Sequence, residues 1–342
     1  MSRLVDHLAA LTGSRDRELL DVTLVGVLRD LLRPTQVTVY RSIGEPRNER
    51  WLTRARLHAD DLVATADPEW IDTDTLPLRT ADPARLDAFE RQAVVVVPGP
   101  NERTLFPLAT DRETLGVIEI ESETPLAERD RRLVLSVLRI YRNFQGLLDY
   151  SERDTLTGLL NRKTFDDSFL RAAANAHGAR PETADGRRGA QPRSSWWLGE
   201  IDIDHFKRVN DTHGHLIGDE VLLLLSRLMR NSFRCHDRLY RFGGEEFVVL
   251  MRCTDADTAV RVFERLRHTV EHYAFPQVGG ITVSIGLAEL KAGDAPSDAF
   301  ERADKAVYYA KEHGRNQVRE HSELVARGEL IDKANTGDVE LF

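Results

Sequence analysis

The stretch Arg241-Phe242-Gly243-Gly244-Glu245-Glu246-Phe247 places two adjacent carboxylates behind a glycine pair. Asp237–Phe242 and Phe247–Met251 read as strands, so the glycines between them read as a tight hairpin. Without a Cβ, Gly243 and Gly244 can take positive φ and let a ligand approach the backbone closely. Upstream lies Glu200-Ile201-Asp202-Ile203-Asp204-His205-Phe206-Lys207, followed by Asn210-Asp211, Gly214-His215 and Gly218-Asp219. An apolar strand ending in a carboxylate, beside a hairpin ending in carboxylates, can hold a hard divalent cation. Mg²⁺ takes one or two carboxylates and completes its shell with substrate phosphates and water. Alone, Gly-Gly-Glu-Glu reads more simply as a solvated hairpin with charged edge residues; the acidic strand upstream is what points to a site.

The elements that must position these groups follow from the periodicity. Trp196–Ile203 is a first core strand, Lys207–Gly218 a connecting loop or short helix, and Glu220–Ser232 an apolar helix. After the hairpin come a helix over Asp257–Tyr273, a strand over Ile281–Leu287 and a last helix over Pro296–His313. This β-α-β-β-α-β order predicts an α+β, ferredoxin-like unit. Residues 178–195, rich in Ala, Gly, Arg and Pro without periodicity, read as a long mobile insertion. The tail 321–342 has weak helical character.

With these motifs in place, the second half resembles the GGDEF domain of diguanylate cyclases in its GGEEF spelling. The resemblance runs from Asp154-Thr155-Leu156-Thr157-Gly158-Leu159-Leu160-Asn161-Arg162 to Lys311-Glu312-His313-Gly314-Arg315-Asn316. It implies a domain over 154–320 in which the end of the first strand lies beside the hairpin tip. It implies that Asp202, the backbone carbonyl of Ile203, Glu245 and Glu246 bind divalent metal, Mg²⁺ or alternatively Mn²⁺. Glu245 is either a metal ligand or the base for a 3′-hydroxyl. The implied reaction condenses two GTP into cyclic di-GMP with loss of two pyrophosphates, in a homodimer with one GTP per subunit. Asn210 and Asp219 match guanine-binding positions; their plainer reading is a turn-forming Asn and a helix N-cap before Glu220. A carboxylate at 219 accepts from guanine N1–H and the 2-amino group, which adenine does not offer, so relaxed base choice is disfavoured. Lys207, Lys311 and Arg315 match phosphate contacts, with helix-end capping as the rival for the last two. Phe206 resembles residues that close the base pocket. Arg234-Cys235-His236-Asp237, separated from Gly243 by Arg238–Phe242, has the spacing of the family's RxxD inhibitory site. Arg265 resembles the arginine that completes it, so product inhibition is expected, against the plainer reading of a surface ion pair. A silent receptor for GTP or cyclic di-GMP is the alternative function, but such a copy should have lost one of Asp202, Asn210, Asp219, Glu245 or Glu246.

The first half reads as a separate domain over 1–125. A helix over 16–33 ends at Arg33-Pro34, followed by strands over Val37–Ile43 and 51–58 and a turn at Gly44-Glu45-Pro46. A polar middle, 59–92, precedes strands at Val94–Val97, Arg103–Ala109 and Leu115–Ile120, the last pair turning at Asp111-Arg112-Glu113. This pattern looks like a GAF-type sensor domain, with a PAS-like domain as runner-up and an unknown ligand; a non-catalytic dimerisation module fits as well. Asp72, Asp74 and Asp82 read as solvated loop residues, and Trp51 and Trp70 as packing. Between the halves, 126–153 lacks proline, and Leu133, Val137, Ile140, Phe144 and Leu147 repeat at spacings of four and three. That is a helical coiled-coil linker, against a helix that packs back onto the first domain.

Composition bounds the rest. The chain has 342 residues, 41% hydrophobic and 30% charged, which suits a two-domain globular protein. A net charge of −9 disfavours general nucleic-acid binding. Two cysteines, Cys235 and Cys253, form no disulfide framework. No apolar run approaches the ~20 residues of a membrane span and the N-terminus lacks a signal-peptide pattern, so a cytoplasmic protein without a membrane partner is expected.

Overall fold

A computed structural model describes residues 6, 9, 11–13, 17–44, 48–68, 71–110, 114–177, 195–234 and 236–331 of the chain. The chain divides into two units, Met1–Ser151 and Glu152–Phe342. Trp70, Cys235, the turn residues Glu45 and Pro46, the Asp111–Glu113 turn, all of the expected insertion but Ser195, and residues 332–342 lie outside the described residues.

In the first unit, helix α1 (Arg17–Leu32) precedes strands β1 (Gln36–Ile43) and β2 (Arg50–His58). Helix α2 (Pro83–Arg91) then leads to β3 (Val95–Val97), β4 (Glu102–Ala109), β5 (Thr114–Ser122) and the long helix α3 (Glu128–Glu152). The strands form one antiparallel sheet in the order β2-β1-β5-β4-β3. Along β2, Trp51, Thr53, Ala55 and Leu57 are buried in alternation with half-buried neighbours. That alternation alone does not reveal two covered faces. Ala55 and Leu57 join α1 and α3 in one apolar cluster with Val39, Phe106 and Ile118. Tyr40, Trp51, Leu105 and Val117 form a second cluster with Ala88 of α2. Trp51 is a packing residue, edge-on to Tyr40 and Phe89.

Two expectations are corrected here. Asp82 is a half-buried helix cap rather than a solvated loop residue, whereas Asp72 is exposed as expected and caps only a single turn. Asp72 accepts from the Asp74 amide at 3.1 Å, and Asp82 caps α2 from Ala84 and Arg85 while pairing with Arg103 at 2.8 Å. Asp74 keeps an exposed carboxylate beside Arg50. In addition, α3 buries one face in its own unit through Val134, Val137, Leu138, Tyr141 and Leu148. Val137 of the expected seam is therefore core, whereas Leu147 is exposed.

The second unit opens with β6 (Leu160–Asn161) and α4 (Arg162–His177), then β7 (Ser195–Ile203), α5 (Phe206–His213) and α6 (His215–Ser232). The hairpin strands are β8 (Arg238–Gly243) and β9 (Glu246–Cys253). After them come α7 (Ala256–Glu271), β10 (Val283–Glu289), α8 (Pro296–Glu312), β11 (Val318–Glu320) and α9 (His321–Ala326). The sheet order is β11-β10-β7-β9-β8-β6, with β10, β7, β9 and β8 antiparallel in the ferredoxin-like arrangement. Ile201, Ile203, Phe247, Val249 and Val283 face α6 and α7 in the main apolar cluster. On the opposite face Phe165 of α4 meets Tyr240 and Phe242, and Phe242 stacks on Phe300 of α8. β6 and β11 add parallel edges to the expected core. His321 and Leu324 are buried, so part of the tail expected from 321 belongs to the fold. No helix among the described residues is long and apolar enough to cross a membrane.

Candidate active site

Strand register creates the site. β7 and β9 pair so that Asp202 lies directly opposite Glu246 and Ile201 opposite Phe247. Directly opposed residues in an antiparallel pair point to the same face, ~5 Å apart. The apolar partners Ile201 and Phe247 lock this register by facing the core, so Asp202 and Glu246 must share the other face. The β8–β9 turn carries an irregularity between Arg241 and Gly243, which brings Glu245 to the same end. Gly243 and Gly244 have φ of 154° and 48°, and a Cβ on either would meet nothing within 4 Å. Their glycine requirement is thus conformational, and the space in front of the turn is open to a ligand.

Arg241 holds that turn. Its guanidinium donates to the Gly244 carbonyl at 2.9 and 3.2 Å and to Asp154 at 3.0 and 3.2 Å. Asp154 also accepts from the amide and hydroxyl of Thr157 at 2.8 and 2.7 Å. Burial alone would raise Asp154, but the Thr157 and Arg241 contacts outweigh it and hold it below the usual carboxylate range. The Asp154–Arg162 signature therefore clamps the hairpin tip, a role that residue types alone did not reveal.

The acids at the strand ends are in the opposite condition. Asp202 Oδ2 pairs with Lys311 Nζ of α8 at 2.7 Å, while its buried Oδ1 has no partner among the described residues. Burial raises Asp202; Lys311 opposes, and Glu246 and Asp204 add to the rise. Burial likewise raises Glu245, with Asp202 adding and Lys311 opposing. Glu200, two residues before Asp202 on the same face, is 3% exposed and has a buried Oε2 with no partner among the described residues. Burial pushes it up to about 8, and the charges of Asp304, Glu246 and Asp202 add to the rise. Sequence reading passed over Glu200; its signal was a carboxylate in the middle of an otherwise apolar strand. Unpartnered buried carboxylate oxygens beside further acids are costly unless a cation satisfies them. The donor set, all oxygen, fits Mg²⁺ or Mn²⁺. The Ile203 carbonyl lies at the end of β7, and Asp204 after it is fixed by Thr282, Ser284 and the Asn316 amide at 2.7, 2.7 and 3.0 Å.

The other expected residues distribute as follows. Asn210 on α5 lies against Gly218 on α6: a Cβ at 218 would meet Asn210 Oδ1 at 2.0 Å. Gly218 thus lets α6 pack closely against Asn210. Helix α6 starts at His215, not Glu220, so Asp219 is inside the helix and is not its N-cap. Phe206, expected to close a base pocket, is a core residue whose ring tip reaches Gly218. Lys207 is exposed. Lys311 pairs with a carboxylate instead of capping α8, and Arg315 sits in a left-handed turn at φ 62° with its amide on Ala310 O at 2.9 Å. At the second expected site, Asp237 Oδ2 accepts from the Arg234 amide at 2.8 Å. Burial raises Asp237 to about 6 against the Arg234 and Arg265 charges. Arg265 itself donates to Ser232 O.

Comparison with known proteins gives the same half of the chain. Residues 151–317 match the family model described as "Diguanylate cyclase, GGDEF domain". Diguanylate cyclase DgcP of Pseudomonas aeruginosa is 38% identical over 168 residues, which is 48% of this chain and 23% of that protein. Diguanylate cyclase DgcM of Escherichia coli K12 is 38% identical over 49% of this chain and 38% of that protein. The chain thus spans well under half the length of these relatives. A crystal structure of the GGDEF domain of DgcB from Caulobacter crescentus in complex with c-di-GMP is 34% identical, covering 50% of this chain and 96% of that one at a TM-score of 0.44.

Proposed function

Residues 151–317 of this chain are a GGDEF domain, and from that premise we propose that the protein condenses two GTP into cyclic di-GMP, releasing two pyrophosphates. The observation that carries the reading is the Asp202–Glu246 juxtaposition with an unpartnered buried oxygen on Asp202. Mg²⁺, or Mn²⁺, held by Asp202, the Ile203 carbonyl, Glu245 and Glu246 would neutralise triphosphate charge and lower the pKa of the attacking 3′-hydroxyl. The chain's own groups do the rest. Asn210 and Asp219 bind guanine, and Asp219 rejects adenine because it would be left unpaired. Lys207, Lys311 and Arg315 bind phosphate. Lys311 releases Asp202 as it does so, since one ammonium on a flexible stem serves either partner. The Gly243–Gly244 backbone lies against the triphosphate, and Glu245 completes the metal shell or takes the 3′-hydroxyl proton. The 3′-oxygen of one GTP attacks the α-phosphorus of the other, and a second, mirrored attack closes the ring. With one GTP per domain, the active unit is a homodimer, and GTP supply places it in the cytoplasm.

Two regulatory elements complete the proposal. Arg234, Asp237 and Arg265 form a product-inhibition site, since an arginine can pair with guanine O6 and N7 and an aspartate with N1–H. The first unit is a GAF-like sensor or dimerisation domain, and the exposed Leu147 and Tyr150 of α3 give that helix an apolar surface for self-association through the linker.

Incubation with GTP and Mg²⁺, followed by separation of nucleotides, tests the activity. Wild type should yield cyclic di-GMP and Glu246→Ala none. Absence of product from wild-type protein stripped of bound nucleotide would rule the cyclase reading out in favour of a receptor.

A further inference from the structure

Just past α8 the chain runs through three consecutive residues with positive φ, Gly314 at 110°, Arg315 at 62° and Asn316 at 44°. Glycine takes such angles freely and asparagine tolerates them, but an arginine there is strained. Strain of this kind persists only where the surroundings over-determine the backbone. We propose that Asn316 is a positioning residue, whose side chain fixes this turn so that Arg315 is presented beside the acids at the end of β7 to a nucleotide phosphate. The proposal rests on the reading of Arg315 as a phosphate ligand and adds what holds it in place.

Three features carry it. The first is place. Four residues before Arg315, Lys311 Nζ meets Asp202 Oδ2 at 2.7 Å. One residue after it, the Asn316 amide donates to Asp204 Oδ2 at 3.0 Å. Arg315 is thus bracketed by two contacts to the end of β7. The second is rigidity. Asn316 Nδ2 donates to Glu271 Oε1 at 2.7 Å. Arg267 Nη1 donates to Asn316 Oδ1 at 2.8 Å and to Glu271 Oε2 at 3.0 Å. Amide, carboxylate and guanidinium close a triangle in which both ends of the Asn316 side chain are used, and Arg267 is 8% exposed. With the Arg315 amide on Ala310 O at 2.9 Å, the backbone is pinned on both sides of the Arg315 side chain. The third is contrast. The Arg315 side chain is exposed and has no hydrogen bond or ion pair among the described residues. A fixed backbone carrying an uncommitted cation suits a preorganised anion contact, since less freedom remains to be lost on binding.

The rival account is a plain helix stop, in which the turn leads α8 into β11 and Asn316 only ties it to α7. That account explains the bonds of Asn316. It gives no reason for a strained and unpaired arginine between the two contacts to β7.

The test is a double-variant cycle on nucleotide affinity. The full chain, stripped of bound nucleotide, is titrated calorimetrically with Mg²⁺ and the α,β-methylene analogue of GTP, which cannot lose pyrophosphate. Arg315→Ala should weaken binding about tenfold. Asn316→Gly keeps the positive φ and the amide to Asp204 and removes only the side-chain bonds. It should weaken binding about fivefold alone and less than about twofold on top of Arg315→Ala, because it acts through that arginine. An equal loss in both backgrounds would show a general loosening of the domain and overturn the proposal, as would no loss from Asn316→Gly alone. No loss from Arg315→Ala, or no binding by wild type, would overturn it at its premise, which separates failure of the phosphate reading from failure of the positioning role.

Discussion

Two buried acids of the first unit and two on β7 of the second are held in opposite ways. In the first unit Asp21 and Glu119 are 2% and 1% exposed. Asp21 meets Arg41 at 2.9 Å and Arg54 at 3.4 Å and accepts from Tyr141. Glu119 meets Arg85 at 2.8 Å and Arg103 at 3.4 Å. In the second unit Glu200 and Asp202 are nearly as buried, yet each has an oxygen without a partner among the described residues. A buried acid surrounded by arginines fixes elements to one another; here Asp21 ties α1 to β1, β2 and α3. A buried acid left short of donors reserves its lone pairs for something the chain does not supply. The contrast separates scaffold from site without reference to any relative.

The largest test of that contrast removes the reserved charge. On the proposed cyclase reading, in which Asp202 is a metal ligand, Asp202→Asn should lower cyclic di-GMP formation by at least about a thousandfold. The same variant in chelator should melt higher than wild type, because the burial of the Asp202 charge and its repulsion by Glu246 and Asp204, which the Lys311 pair only partly offsets, are gone. A lower melting temperature would mean that Lys311 alone satisfies Asp202. In the first unit the sign reverses. Asp21→Ala leaves Arg41 and Tyr141 buried without their acceptor and should cost about 3 kcal/mol in urea unfolding. A stability change near zero would remove the distinction between the units.

Arg241 belongs to the scaffold class although it stands beside the site. Arg241→Ala unpins Gly244 and leaves Asp154 without its guanidinium. Turnover should fall on the order of tenfold with the KM for GTP little changed, because positions shift while substrate contacts remain. Arg241→Lys should not restore it, since one ammonium cannot reach both the Gly244 carbonyl and Asp154 in the forked geometry.

What could be read from the sequence follows the range of the forces involved. The nearness of Asp202 to the hairpin acids was legible through the resemblance to the GGDEF family, which puts the end of the first strand beside the hairpin tip; the continuous apolar runs of β7 and β9 do not by themselves fix which acids face each other. The Asp154–Arg241 clamp was not, because it joins distant segments through side-chain reach and a left-handed turn. The early start of α6 was hidden by Gly218 and by Leu216, which is 82% exposed, so no apolar stripe marks its first turn. β11 is too short to show a period. The seam on α3 was misread because Val134, Leu138 and Tyr141 carry a second apolar stripe, and that stripe packs the helix into its own unit.

Asp237 lies between the two classes and gives the smallest effect. Its side chain is 4% exposed; it accepts from the Arg234 amide, His236 Nε2 lies 4.0 Å away, and no arginine side chain among the described residues bonds to it. Burial raises it to about 6 from an ordinary 3.8, against the pull of Arg234 and Arg265. The folded state therefore holds a proton that the unfolded chain has released between those values. The stability that this proton contributes is present below about pH 4 and is lost as pH rises through 6. Asp237→Asn mimics the protonated form. It should leave stability unchanged at pH 4 and raise it by on the order of 1 kcal/mol at pH 8. Melting curves at the two pH values measure the difference. A variant that loses stability at pH 8 would place Asp237 with Asp21, as an acid already paid for by its arginines. The predicted gain would instead mark it, like Asp202, as an acid held ready for a ligand.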